Sequence, residues 1–167
     1  MKNPVTLIRD ARDEDMRPML DIYNDAVRTT TAVWNETART EQEQLEWLQT
    51  KRSQSLPVLV AEEQGQLLGF STYGPFRAWY GYRFTVENSI YVHRDYRRRG
   101  VARELLNGLI SRARAQKLHT MIAGIEAENL ASLQLHEAVG FMKAAHLHEV
   151  GYKFNRWLDL VLMELRL

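Results

Sequence analysis

The chain of 167 residues is 45% apolar and 26% charged, with 22 basic against 21 acidic side chains. These figures suit one folded domain over residues 1–167 and leave no overall field to hold a polyanion, so a nucleic-acid partner is not expected. Cysteine is absent, which excludes disulfides, thiolate metal ligands and a cysteine nucleophile.

Residues Met1 to Val5 lack the apolar core of a signal peptide, and no apolar run reaches membrane-spanning length. A cytoplasmic protein without a membrane partner is the expectation. Val5 to Arg9 alternates weakly and reads as a first strand. From Asp13 onward, Met16, Met19, Leu20, Tyr23, Ala26 and Val27 follow helical spacing. Thr40 and Glu43 have capping-box spacing, so a second helix starts there with Leu45 and Leu48 as its apolar stripe. Pro57 to Ala61 reads as a buried strand, Gly65 as a turn, and Gln66 to Tyr73 as the antiparallel partner. Gly74-Pro75 breaks that run, and Phe76 to Tyr82 forms an aromatic loop.

Further on, Ser89 to Val92 is a strand, His93 to Arg99 a basic turn, and Val101, Leu105, Leu106, Leu109 and Ile110 mark a long amphipathic helix. Met121 to Ile125 is the next strand, and Asn129 to Val139 a helix stopped by Gly140. Two strands close the chain, around Phe141 to His148 and Arg156 to Leu165. The order β-α-α-β-β-β-α-β-α-β-β implies an α/β (α+β) mixed sheet with helices on its faces.

The basic turn is the most informative segment. A helix N-terminus disfavours nearby cations, so Arg97, Arg98 and Arg99 make electrostatic sense there if an anion fills the space. Gly100 and Ala102 leave the backbone uncovered, so that consecutive N–H groups can reach phosphate oxygens. A merely solvated basic turn is the plain alternative. The spacings of a Walker loop and of a dinucleotide fingerprint are both missing.

In its form Arg-x-x-Gly-x-Ala, directly after Tyr91-Val92, the turn resembles the pyrophosphate loop of the GNAT acetyltransferases. Downstream, Asn129-x-x-Ser132-x-x-Leu135-His136-x-x-Val139-Gly140-Phe141 resembles a second segment of the same superfamily. Thr85 to Val92, Gly74 to Arg77 and Gly151 to Asp159 are similar to the phosphinothricin and methionine sulfoximine N-acetyltransferase group. The resemblance covers nearly the whole chain. It implies the GNAT fold, a twisted and mostly antiparallel sheet with helices on both faces. It also implies acetyl-CoA as co-substrate, no metal, and a homodimer whose tail reaches toward the neighbouring subunit's acceptor site.

The same resemblance assigns residues. Ile90, Tyr91 and Val92 would align the pantetheine arm through their main chain, as an added strand would. Arg97, Arg98, Arg99, Gly100, Val101, Ala102 and Arg103 would hold the pyrophosphate, and Asn129 and Ser132 belong with the cofactor. Pro75, Phe76, Arg77 and Arg83, with Thr85, Val86, Glu87 and Lys153, would form the acceptor site. Glu87 is the candidate base, the alternative being a structural ion pair with Arg77 or Arg83. His136 stands where the superfamily commonly has a tyrosine as acid; it is either that acid or a hydrogen-bonded core residue. Asn129 also suits a helix N-cap.

Without cysteine, a thioester relay on the protein is excluded, and direct attack of a neutral amine on the thioester in a ternary complex, with oxyanion donors and a base, is the favoured route. Arg77 and Arg83 offer a fork for a carboxylate or phosphinate, so an amino-acid-like acceptor is expected. Another amine, such as a peptide N-terminus or an aminoglycoside, or a non-catalytic acetyl-CoA sensor, are the alternatives. Phe76, Trp79, Tyr80, Tyr82 and Phe84 would wall the acceptor pocket. His146 and His148 share one face of a strand, as metal ligands sometimes do, but no third ligand with convincing spacing is visible in the sequence, and they read as surface or interface residues.

Overall fold

The structure, a computed structural model, describes residues 6–167. Val5, placed in the first strand by the sequence, lies outside the described residues, as does the rest of the segment 1–5. The elements are β1 (Leu7–Asp10), α1 (Met16–Thr29), α2 (Glu41–Ser53), β2 (Val58–Glu63), β3 (Gln66–Pro75), β4 (Thr85–Val92), α3 (Val101–Ala115), β5 (Thr120–Glu126), α4 (Leu130–Ala138), β6 (Met142–Lys153) and β7 (Arg156–Arg166). They form one seven-stranded sheet in the order β1-β2-β3-β4-β5-β7-β6. Every pairing is antiparallel except β4 with β5.

Alternation along the strands sends side chains to two separate cores. Met19, Ile22, Tyr23, Val27 and Leu48 of α1 and α2 pack on Val58, Val60 and Phe70. On the other face, Leu105, Leu106 and Leu109 of α3 meet Leu59, Ala61, Val86, Met121 and Ala123. Helix α2 opens with the expected capping box: the Thr40 hydroxyl accepts from the Glu43 N–H, and the Glu43 carboxylate accepts from the Thr40 N–H at 2.7 Å. Its apolar stripe is not the expected one. Leu48 is 1% exposed but Leu45 is 37% exposed, and Gln44 takes the buried position four residues before Leu48. Arg39 makes this possible by donating to the Gln44 side-chain oxygen at 2.7 Å.

The β2–β3 and β6–β7 loops are both two-residue turns with positive φ at each position, Gln64-Gly65 and Phe154-Asn155. That is the backbone of a type I′ hairpin, whose twist matches the strands it joins. Strand β6 therefore runs past His148 to Lys153, and the expected tail is a hairpin tip. A register shift between Leu147 and Gly151 accommodates Glu149, at φ 52°. Strand β4 begins at Thr85, earlier than Ser89, because it pairs with β3 as far as Pro75–Val86. Among the described residues no helix is long and apolar enough to cross a membrane.

Candidate active site

Strand β4 is zipped at one end and open at the other. Thr85, Val86 and Glu87 pair with Thr120, Met121 and Ile122 of β5, and there the pairing stops. Beyond it, β4 continues to Val92 on β3, while β5 continues to Glu126 on β7. Asn88 stands at the fork, its side-chain amide donating to the Ile122 carbonyl at 3.1 Å.

Two main-chain bonds show which groups face the opening. The Phe76 N–H donates to Thr85 O at 3.2 Å and the His93 N–H to Leu68 O at 2.8 Å. In an antiparallel ladder successive residues turn their N–H and C=O to opposite sides. Thr85, Glu87, Ser89, Tyr91 and His93 thus serve β3, and Ile90 and Val92 aim their N–H groups into the opening. The main chain of Tyr91 points the other way. Its ring packs on Phe70 and Tyr23 at centroid distances of 5.0 and 5.5 Å.

Glu87 shares the α1/α2 side of the sheet with Tyr91. Burial raises its carboxyl pKa above the usual value, and the positive charge of Arg77 partly opposes this. Among the described residues it has no cation within 4.0 Å, so it is not locked in the ion pair that was the alternative. It leans over β5 at Gly124, where a Cβ would come 2.7 Å from Glu87 Oε1. Gly124 is exposed, so this stretch of β5 borders open space in front of the carboxylate.

His136 lies behind the other side of the fork. It is 3% exposed, with Nδ1 2.8 Å from Ser132 O and Nε2 3.2 Å from Asn88 Oδ1. Burial lowers its pKa, against the raising effect of the Ser132 carbonyl. With both nitrogens engaged and the ring enclosed, the geometry is that of the core residue, and direct proton donation would require the Asn88 contact to break. Asn88 is a site residue that the sequence analysis missed; an amide at an inward strand position beside Glu87 was its signal.

The turn after β4 has the backbone that an anion site needs. Arg98 has φ 62° and Gly100 φ 85°, and both conformations curl the chain so that its N–H groups converge. Among the described residues, the N–H groups of Arg99, Gly100, Val101 and Ala102 find no main-chain acceptor, whereas those of Arg103 and Glu104 both return to Gly100 O. The expected cradle therefore ends at Ala102, because the Arg103 N–H is already used. Arg97 and Arg98 are exposed. Arg99 is instead drawn to Glu63, at 2.8 and 3.0 Å from its two oxygens. At the start of α4 the Asn129 side chain accepts from the Ser132 N–H at 3.2 Å, which makes it the N-cap.

The acceptor residues are only partly brought together. Pro75, Phe76, Thr85 and Val86 flank Glu87 on the paired ends of β3 and β4, with Val86 turned into the α3 core. Arg77 is the cation felt by Glu87. Arg83 does not complete a fork with it: its guanidinium stacks on Tyr80 and Phe84 at 4.2 and 4.5 Å. Trp79, Tyr80 and Phe84 are exposed, while Phe76 meets Tyr82 edge-on at 5.7 Å. Lys153 departs furthest from expectation. Fully buried, its ammonium donates to the carbonyls of Val27, Thr30 and Val33, at 2.6 and 2.8 Å for the first two. Those carbonyls lie at and just beyond the end of α1, where a cation is favoured. Lys153 ties the hairpin to that helix and has no hydrogen left for an acceptor.

Residues 8–162 match the acetyltransferase (GNAT) domain family. The chain is 48% identical to the L-methionine sulfoximine/L-methionine sulfone acetyltransferase of Pseudomonas aeruginosa, over 96% of this chain and 94% of that one. It superposes on the crystal structure of a ribosomal-protein-alanine N-acetyltransferase from Brucella melitensis with a TM-score of 0.95 at 47% identity, covering 96% and 99% of the two chains. A GNAT superfamily phosphinothricin acetyltransferase from Sinorhizobium meliloti, solved in complex with acetyl-CoA, gives 0.94 at 34% identity, over 97% and 88%. A match that runs from the first strand into the last, at such identities, means that the chain belongs to the GNAT acetyltransferase family.

Proposed function

We propose that the protein transfers the acetyl group of acetyl-CoA to the α-amine of a small amino acid or analogue, with methionine sulfoximine, methionine sulfone and phosphinothricin as the candidate acceptors. The observation that carries this reading is the half-buried Glu87 carboxylate, with no cation within 4.0 Å among the described residues, on the strand whose pairing with β5 stops at Glu87. The residues suit the co-substrate. The opening beside Ile90 and Val92 can take an extended arm as an added strand, and the N–H groups of Arg99 to Ala102, flanked by Arg97 and Arg98, suit a pyrophosphate.

Acetyl-CoA supplies the activated acyl group. Ile90 and Val92 offer N–H groups to the thioester oxygen, where negative charge develops. Glu87 accepts the amine proton as the N–C bond forms and the C–S bond breaks; the departing thiolate takes a proton from solvent. A raised carboxyl pKa brings the base closer to the pH at which it works. Arg77 supports binding of an acceptor carboxylate or phosphinate. His136 holds Asn88 at the fork.

A thiol-release assay over a panel of amines tests this. Turnover with methionine sulfone or phosphinothricin is expected. Similarity to the Brucella ribosomal-protein-alanine N-acetyltransferase favours one second reading, acetylation of a peptide N-terminal alanine, so an alanyl peptide belongs in the panel. Acetyl-CoA binding with no amine turned over would leave the sensor reading instead.

The working unit proposed is a homodimer built on the β6–β7 tip, in the cytoplasm. Phe154 and Trp157 are 50% and 61% exposed, too open to be capping their own sheet, and clustered exposed aromatics suit an interface. Sedimentation at micromolar concentration should give twice 19.5 kDa, and Trp157→Ala should shift it toward monomer. A wild-type monomer ends this part of the proposal.

A further inference from the structure

The hairpin supplies what the sequence could not show. His146 and His148 sit on β6 on either side of Leu147, and Asp159 of β7 faces them across the ladder. One carboxylate oxygen, Asp159 Oδ2, lies 2.8 Å from His146 Nε2 and 2.9 Å from His148 Nδ1. The two imidazoles stack with centroids 4.3 Å apart. All three candidate ligand atoms lie within 4.8 Å of one another.

The geometry points to a surface site for a single borderline divalent transition-metal ion, held by His146 Nε2, His148 Nδ1 and Asp159 Oδ2. Two imidazoles and one carboxylate are a donor set for Zn²⁺, Ni²⁺ or Cu²⁺; Mg²⁺ and Ca²⁺ take oxygen ligands. Zinc bonds of roughly 2.0–2.1 Å in tetrahedral directions place donor atoms about 3.3 Å apart. The shared oxygen stands about half an ångström too near each nitrogen, and the two nitrogens lie within 4.8 Å of each other, so rotations of the side chains would have to open the first two separations and set the third to admit the ion. Two of the three side chains are exposed and can make that adjustment. The fourth position faces solvent and would hold water.

The carboxylate is also pre-aimed. Its other oxygen, Asp159 Oδ1, accepts the Glu149 N–H at 2.8 Å, and Glu149 is the residue that the bulge holds at φ 52°. The irregularity in β6 thus turns a main-chain donor onto Asp159, the kind of outer contact that fixes a ligand's orientation. The site makes no use of Glu87, the open half of β4 or the basic turn, and it stands whether or not the acceptor assignment does.

Titration calorimetry of tag-free protein with ZnCl₂ at neutral pH, in a buffer that does not chelate, tests the inference. One saturable Zn²⁺ per chain is expected. His146→Gln, His148→Gln and Asp159→Asn should each weaken binding by at least about tenfold. Asn keeps an oxygen for the Glu149 N–H, and circular dichroism confirms that each variant is folded. His93→Gln and His119→Gln, away from the hairpin ligands, should bind as the wild type does. Cobalt(II) in place of zinc should give visible absorption bands that the His146→Gln/His148→Gln double variant lacks. No saturable uptake by the wild type, or uptake undiminished in that double variant, overturns the site and leaves a hydrogen-bonded His–Asp–His cluster.

Discussion

The two halves of β4 differ in what stands beside them, and each half's role follows from that difference. Thr85 to Glu87 have β5 as a neighbour; the pairing fixes the backbone and lets Glu87 rest against it. Ile90 to Val92 have β3 on one side only, so their outward N–H groups remain for a ligand. A proton acceptor needs a rigid mount and partial burial, whereas a cofactor arm needs an unfilled edge. One strand meets both needs because its neighbour departs at Ile122.

The largest expected effect comes from the zipped half. Glu87→Gln should lower kcat by roughly 10²–10⁴-fold while acetyl-CoA still binds. The carboxyl pKa is raised, and the carboxylate is the working form. Wild-type kcat/KM should therefore fall as pH drops through that raised value, and the variant should lack this acid limb. Turnover retained within about twofold across roughly pH 6–9 would falsify the base assignment.

Proline separates the two halves directly. Tyr91 uses its N–H in the β3 ladder, so Tyr91→Pro should cost about 3 kcal/mol or more and lower Tm sharply. Ile90 turns its N–H to the opening, so Ile90→Pro should keep most of the stability yet raise KM for acetyl-CoA by roughly tenfold, the worth of one donor. Equal losses of Tm in the two variants would erase the distinction. At the basic turn, Gly100→Val meets no neighbour within 4 Å but must hold φ near 85°. The strain of about 1–2 kcal/mol should appear mainly in KM for acetyl-CoA, which steady-state kinetics reads. An unchanged KM in the folded variant removes Gly100 from the cofactor site.

What the sequence made legible was local chemistry. The capping box at Thr40, the turn around Gly100 and the N-cap at Asn129 each depend on residues within a few positions, and spacing reveals them. What it hid depends on partners far along the chain. Gln44 replaces Leu45 in the core because Arg39 satisfies its amide oxygen. Arg83 stacks on its own loop's aromatics, and Lys153 reaches carbonyls of a helix more than a hundred residues away. The fork itself is a matter of register: nothing in Glu87-Asn88 says that pairing ends there, since that depends on where β5 turns toward β7.

The smallest effect expected is also the finest test of the mount. Gly124 has an unexceptional backbone, so its lack of a side chain matters for space alone. A methyl there would sit 2.7 Å from Glu87 Oε1, closer than van der Waals contact allows, and the carboxylate, as the end of a flexible chain, would be the group to move. Gly124→Ala should therefore fold, bind acetyl-CoA normally and lose a fewfold to about tenfold in kcat, because a displacement of a few tenths of an ångström misplaces the base without removing it. The pH profile distinguishes this from general damage. Burial is the main reason that the Glu87 pKa is raised, with Arg77 acting against it. Pushed away from β5 toward solvent, the carboxyl should return toward its ordinary value, and the acid limb of kcat/KM should move to lower pH. A limb that stays in place with kcat intact would mean that the zipped half of β4 positions Glu87 without help from Gly124.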